Sequence, residues 1–194
     1  MEERLDHRVI AEAVEPGSRV LDLGCGQGDL LLLLSRKKGA RVQGIELDVK
    51  AIQECVKKGL SVFHSDIESG LCEYPDSSFD YVILNQSMQE VKKVDYLLQE
   101  ALRVGQSVIV GFPNFAYVSA RLMLLLRGKA PVTGSLPYSW YGTPNVRFLS
   151  VRDFEDLCGI KRWKVLKAVY LGAHGIVTRW PNLFARDAIF VITR

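Results

Sequence analysis

Short runs of aliphatic and β-branched residues alternate along this chain with segments whose apolar positions recur at helical spacing. Arg19–Leu23 reads as a strand running into a glycine loop, and Asp29–Lys38 follows as a helix with a very apolar face. A second strand is expected over 41–47, then a helix over 49–58 that stops at Gly59. A third strand is expected at 60–64, a fourth over Phe79–Asn85, a helix over 91–104 and a fifth strand over 107–112. Strands alternating with helices in this way predict a parallel sheet with helices on both faces. Crossovers in such sheets are right-handed, and ligands sit at the carboxyl ends of the strands.

The pattern changes after Pro113. Residues 114–147 interrupt the alternation with one apolar helix (115–126) and a Gly/Pro-rich loop holding Tyr138, Trp140 and Tyr141. A helix capped by Ser150 is expected over 151–158, and closing strands over 163–171 and 188–193, with a loop over 172–187 between them. The chain thus reads as one domain over residues 1–194 with an insertion at about 114–147.

Composition narrows the classes. A chain of 194 residues can bury a core without disulfides or metals. The 25 Lys and Arg against 22 Asp and Glu leave a net charge of +3, dispersed rather than set in a stripe, which argues against nucleic acid. The most apolar runs, 30–34 and 122–126, fall far short of the roughly 20 residues of a spanning helix, so no membrane is expected. The first 17 residues are charged and amphipathic, without the apolar run of a signal peptide. Cys25, Cys55, Cys72 and Cys158 form no C-x-x-C pair, so no metal ligand is assigned and the thiols read as reduced, in a cytoplasmic protein.

The strongest motif is Val20-Leu21-Asp22-Leu23-Gly24-Cys25-Gly26-Gln27-Gly28-Asp29. Alternate glycines let the backbone turn tightly beneath a ligand, and the helix that follows presents free N–H groups. A dinucleotide fingerprint would need its third glycine where Asp29 stands, and no Gly-Lys-Ser/Thr makes a phosphate loop. The spacing instead resembles motif I of the class I S-adenosylmethionine-dependent methyltransferases. Further pieces follow in the family's order: Gly44-Ile45-Glu46-Leu47-Asp48, Ser65-Asp66-Ile67 and Phe79 to Asn85. The resemblance implies a Rossmann-like class I methyltransferase fold, an α/β architecture with a mostly parallel central sheet. It implies S-adenosylmethionine or S-adenosylhomocysteine as ligand, held by Asp22, Gly24, Cys25, Gly26, Gln27, Gly28, Glu46, Leu47, Asp66, Ile67 and Asn85. Glu46 would accept from the ribose hydroxyls, Asp66 from the adenine amine, and the backbone around Asn85 would face the methionine amine. A carboxylate suits the ribose, having several acceptor sites and no donor.

No catalytic residue is assigned. His64 reads as structural, His7 as solvated on the N-terminal helix, and His174 lies in a late loop. Gln86, Gln89 and Glu90 could line the pocket. Asn85-Gln86-Ser87-Met88 stands where amino-methylating enzymes carry Asn-Pro-Pro-Tyr.

The second half is more distinctive: Gly111-Phe112-Pro113-Asn114-Phe115, then Tyr141 through Ser150, Asp153-Phe154, and Trp180-Pro181-Asn182-Leu183-Phe184-Ala185. With the glycine-loop core, these resemble the MetW family of methionine biosynthesis proteins. The resemblance implies association with MetX, a homoserine O-acyltransferase, as an accessory and activating subunit in a hetero-oligomer. The chain has no G-x-S-x-G nucleophile elbow of its own. A pocket for S-adenosylmethionine, a downstream product of methionine, would make it a sensor. The alternative is a methyltransferase acting on a small molecule. The 115–126 helix is apolar on nearly every side, so something must cover it. Either the loop over 131–147 folds across it, or it forms a lid, or it meets a partner through Tyr138, Trp140, Tyr141 and Arg147.

Overall fold

A computed structural model of the protein describes residues 4–69 and 71–194. Seven strands form one sheet in the order β3-β2-β1-β4-β5-β7-β6. They are β1 (Arg19–Leu23), β2 (Arg41–Glu46), β3 (Ser61–His64), β4 (Phe79–Asn85), β5 (Gly105–Pro113), β6 (Lys164–Leu171) and β7 (Asp187–Thr193). Only β7 runs antiparallel to its neighbours, β5 and β6. From β1 the chain winds outward through β2 and β3, then returns to β4 on the other side. The crevice where that order reverses opens at the carboxyl ends of β1 and β4, where the glycine loop begins. This is the mostly parallel, doubly covered sheet that the strand–helix alternation predicts.

Two apolar layers flank the sheet. On one face α1 (Leu5–Ala13) and α2 (Asp29–Lys38) bury Val9, Ile10, Leu30 and Leu34 against Val20, Ile83, Ile109 and Ile189. On the other, α4 (Val94–Val104) and α6 (Val151–Lys161) bury Leu98, Ala101, Phe154 and Cys158 against Leu21, Val82, Val110 and Phe190. Successive β1 residues thus serve opposite faces, as the strand period requires. α6 carries the expected cap in full: Ser150 Oγ accepts from Asp153 N, and Asp153 Oδ2 accepts from Ser150 N. This capping box satisfies two orphan donors at once. Among the described residues no helix is long and apolar enough to cross a membrane.

Three expectations need correction. The helix expected from 91 begins at Val94, because Met88–Glu90 first form a 3-10 turn that ends in an extended Val91. The loop expected over 172–187 contains one helical turn, α7 (Pro181–Phe184), started by proline at its first position. The third concerns α5 (Val118–Arg127), expected from residue 115. Asn114 Oδ1 accepts from Ala116 N, and that side-chain turn delays the helix. The loop over 131–147 does not blanket α5. Ala120 alone is buried, while Leu125 and Leu126 are 79% and 75% exposed. Leu124, Leu136, Tyr138, Trp140 and Phe148 share a cavity of about 380 Å³ along one side of the helix.

Asn114, wholly buried, explains why two distant sequence pieces occur together. Its Nδ2 donates to the carbonyl of Ala185 (2.8 Å) and that of Asn182 (3.2 Å), and its backbone N–H donates to Arg186 O at 2.7 Å. Its Oδ1 accepts from Ala116 and, at 3.4 Å, from Val151 at the start of α6. One amide therefore joins the end of β5, α6 and the segment before β7. Asn114→Ala would leave buried backbone groups unpaired and is expected to lose roughly 2–4 kcal/mol of stability. For a chain of this size that is a fall in Tm of about 5–15 °C, readable by calorimetry.

Candidate functional site

Three alternate glycines shape the loop after β1. Gly24, Gly26 and Gly28 have φ of +79°, +52° and +77°, a region in which side chains are strained. Each glycine answers a different demand. A Cβ on Gly24 would lie 2.8 Å from Ser87 Cβ, and one on Gly28 would lie 2.5 Å from Leu60 and 2.8 Å from the Cys55 sulfur. A Cβ on Gly26 would meet nothing within 4 Å, so this glycine faces open space. A fourth, Gly44 in β2, makes room for Cys25 Sγ, which would lie 2.5 Å from its Cβ.

Backbone bonds, one carboxylate and three side-chain donors hold the loop, among them Cys55 Sγ to Gly26 O at 3.2 Å and Lys58 Nζ to Gln27 O at 2.7 Å. Gly24 N and Cys25 N donate to Ile45 O, and Ser87 Oγ donates to Leu23 O. Glu46 Oε2 accepts from Gly26 N at 2.7 Å, while its Oε1 accepts from Leu47 N (2.8 Å) and Asp48 N (2.9 Å). Asp48 in turn caps α3 (Val49–Lys57) by accepting from Lys50 N. After β3, Asp66 Oδ1 accepts from Glu68 N and sets the local turn.

These loops enclose two neighbouring hollows. The first, about 280 Å³, is lined by Asp22, Gly24, Cys25, Gly26, Gln27 and Asn85, with Arg4 and His7 from the N-terminal segment. The second, about 490 Å³, is lined by Glu46, Leu47, Asp66 and Ile67, with Ser65, Glu68, Ser87 and Glu90. Gly24 and Gln86 line both. Ten of the eleven residues named from the sequence therefore meet at the strand ends. Gly28 lines neither hollow and packs instead against α3. Sequence reasoning missed Arg4, and it set His7 in solvent, whereas His7 is half-buried at the wall of the first hollow. The signal available was the spacing of α1, which turns Asp6, Val9 and Ile10 inward. His64 is exposed and lines neither hollow, its Nε2 hydrogen-bonded with Leu47 O at 3.1 Å. His174 is exposed and lines neither hollow.

Two carboxyl groups at the site are raised above the ordinary carboxylate range. Asp22 is 3% exposed, and burial pushes its carboxyl up to about 7, with the neighbouring Glu46 adding to the shift. Burial, then Glu46, also raises Glu90. A cation placed here would relieve both effects. Cys25 and Cys55 are raised by burial, and thiols held protonated are poor nucleophiles, so the pair fills space beneath the loop.

The model of the methionine biosynthesis protein MetW family matches residues 4–192. The bifunctional methionine biosynthesis protein MetXA/MetW of Rhodopirellula baltica is 39% identical over 164 residues, 80% of this chain. This chain spans only 26% of that relative's length. Among solved structures, a SAM-dependent methyltransferase of Thermotoga maritima superposes with a TM-score of 0.71 at 19% identity, over 97% of this chain and 87% of that one. A methyltransferase-like chain from Haloferax volcanii, solved in complex with the Trm112 methyltransferase activator, gives 0.69 at 18% identity, over 100% and 91%. The fold is that of the class I methyltransferases.

The raised Asp22 carboxyl has a consequence for stability. Between its unfolded value near 3.8 and about 7, the native state holds more protons than the unfolded chain. The contribution is therefore fully present below pH 4 and is lost as pH rises through 7, by ~4 kcal/mol at most. The Tm of the wild type is expected to fall between pH 5 and 8. Asp22→Asn should flatten that decline and be the more stable protein at pH 8. A decline of equal size in both proteins would show that Asp22 is ionised throughout.

Proposed function

The chain belongs to the MetW family of methionine biosynthesis proteins, and from that premise we propose that it binds S-adenosylmethionine or S-adenosylhomocysteine and acts as an accessory subunit that associates with and activates a homoserine O-acyltransferase of the MetX type. The observation that carries this reading is the relative whose name joins MetXA and MetW in one chain. Linking two partners raises their effective concentration, which serves proteins that must stay together.

The two hollows suit the ligand's chemistry. Glu46 and Asp66, at the ends of adjacent strands, offer acceptors to a ribose diol and an adenine amine. Leu47 and Ile67 give the apolar contacts of a ring. Gly26 leaves free the space a Cβ would fill, and Asp22 and Asn85, which line the first hollow, would face a methionine ammonium. The bound sulfonium would supply an activated methyl group. The chain's own residues would orient it, and its positive charge would favour the ionised form of Asp22.

The insertion suits a partner. From residue 114 to 147 the insertion contains no Asp or Glu, but carries Arg121, Arg127, Lys129 and Arg147. Leu122, Leu125, Leu126, Trp140 and Tyr141 are exposed on it. Apolar and aromatic anchors with an arginine rim are the make-up of an interface core, and they call for an apolar partner surface rimmed with acids. Control by S-adenosylmethionine requires only that free and partner-bound forms bind it unequally. The second reading, methyl transfer to a small molecule, is favoured by a further cavity that adjoins these hollows at Gln86.

Two measurements test this. In calorimetry Glu46→Ala is expected to weaken S-adenosylhomocysteine binding by 30-fold or more, through loss of about 2 kcal/mol of charge-assisted bonding. Wild-type protein that binds neither this ligand nor S-adenosylmethionine would end the ligand assignment. The second measurement co-expresses the chain with a homoserine O-acyltransferase from the same source. The two should co-purify, and acyl transfer should rise several-fold without consumption of S-adenosylmethionine. Leu125→Asp should abolish the complex yet leave S-adenosylhomocysteine binding intact. Failure to associate, combined with turnover of S-adenosylmethionine in a metabolite extract, would favour the methyltransferase.

A further inference from the structure

The glycine loop spends its donors inside the fold. Gly24 N and Cys25 N end on Ile45 O, Gly26 N on Glu46 Oε2 and Gly28 N on Cys25 O. The loop therefore gives the first hollow its shape but few free N–H groups. That matters for a ligand with an amino-acid end, which carries two charges. Its ammonium can meet Asp22, but its carboxylate needs donors, and a cation serves best.

Arg4 and His7, both from the N-terminal segment, line this hollow. An arginine is charged at every working pH and presents five donors in a rigid fork. One edge of the Arg4 fork is already seated: Nε and Nη2 donate to Asp6 Oδ1 and Oδ2 at 3.1 and 2.7 Å. Asp6 is 8% exposed and also accepts from Asn85 Nδ2 at 2.9 Å. It is carried there by α1, which buries Val9 and Ile10 against the sheet. The pair thus ties the guanidinium to the end of β4, at the mouth of the hollow. Arg4 Nη1 makes no hydrogen bond among the described residues, so the second edge of the fork is left over. Asp29, the other acid beside Asp22 in the hollow's wall, is taken by Lys58 at 2.6 Å.

We propose that Arg4 determines specificity for the amino-acid end of the ligand, the free edge of its guanidinium receiving the α-carboxylate of S-adenosylmethionine or S-adenosylhomocysteine. The inference rests on the reading that the first hollow holds such a ligand, and it adds which chemical feature is selected. Asp6 acts as a positioning residue, holding one edge of the fork so that the other is presented without a search through rotamers. With Asp22 toward the ammonium and Arg4 toward the carboxylate, the hollow reads a zwitterion from both ends. An adenosyl compound that keeps the nucleoside and the amine but has lost the carboxylate leaves Arg4 without that partner and binds more weakly.

The test is a calorimetric titration of the full chain with two probes that differ in the carboxylate alone, S-adenosylhomocysteine and its decarboxylated form, S-adenosyl-3-thiopropylamine. The wild type is expected to prefer S-adenosylhomocysteine by about 10-fold or more, the worth of one charge-assisted contact. Arg4→Gln should lose that preference by weakening S-adenosylhomocysteine while leaving the decarboxylated probe within about two-fold. Arg4→Lys, which keeps the charge without the fork, should fall between. Arg4→Gln also frees Asp6, but a disturbance of α1 would weaken both probes alike, so the difference between probes isolates the carboxylate contact. Equal weakening of both probes, or S-adenosylhomocysteine bound by Arg4→Gln as tightly as by the wild type, would overturn the proposal and leave the ligand assignment standing. A wild type that binds neither probe would overturn both.

Discussion

The carboxylate of Glu46 is the constraint on which the site depends. Three backbone donors from two loops end on it: Gly26 from the glycine loop, and Leu47 and Asp48 from the turn after β2. Gly26 has no side chain to anchor it and no neighbour within reach of a Cβ, so its place is set by this bond, by the Cys55 thiol donating to its carbonyl at 3.2 Å, and by the flanking bonds to Ile45. The same carboxylate presses on Asp22 and raises it. Glu46 therefore shapes the hollow and charges it unfavourably at once. Such a site gains from a cation in a way that a neutral loop would not, because the ligand offsets a repulsion the fold already carries.

What could be read from the sequence follows from how local each rule is. The alternate glycines were legible because positive φ is a property of single residues, and all three adopt it. Glu46, Asp66 and Asn85 were legible because a strand's end is marked by the end of its apolar run, and the sheet register then aligns those ends. Arg4, Asp6 and His7 were not. A charged N-terminus reads as solvated, and only the docking of α1 against α2 and β7 brings Asp6 to Asn85 and His7 to the hollow. The pieces around 111–115 and 180–185 were visible as family features, but their reason was not. Asn114 bonds across 68 and 71 positions, and no periodicity carries that.

The α5 helix shows the same limit from the other side. An all-round apolar helix has to be covered, and the argument is sound, but the unit that supplies the cover need not be the chain itself. Here the loop reaches α5 along one side and leaves Leu122, Leu125 and Leu126 open. Burying a leucine is worth about 1.5–3 kcal/mol. Two or three leucines with Trp140 and Tyr141 would offset part of the cost of association, with the arginines and Lys129 at the rim setting orientation. A lid over the ligand hollows would instead have to carry these side chains inward, away from the solvent they now face.

The hollows and the insertion are also physically continuous. Gln86 holds φ of +62°, a conformation that costs a non-glycine residue of order 1 kcal/mol and persists only where the surroundings over-determine it. Three bonds do so: its N–H donates to Gly111 O, its Nε2 donates to Asp187, and its carbonyl accepts from Gln89 Nε2. Gln89 in turn accepts from Val146 N and Arg147 N through its own carbonyl, so the insertion is tied to the turn after β4. A shift of Gln86 off Asp187 would change the footing of Gln89, and with it the seat of Arg147. If the chain reports S-adenosylmethionine to a partner as proposed, these bonds are a short path from the hollows to the insertion. Its strength as a coupling is set by how unequally the ligand binds the two arrangements of Gln86, because linkage makes the partner's effect on the ligand equal to the ligand's effect on the partner.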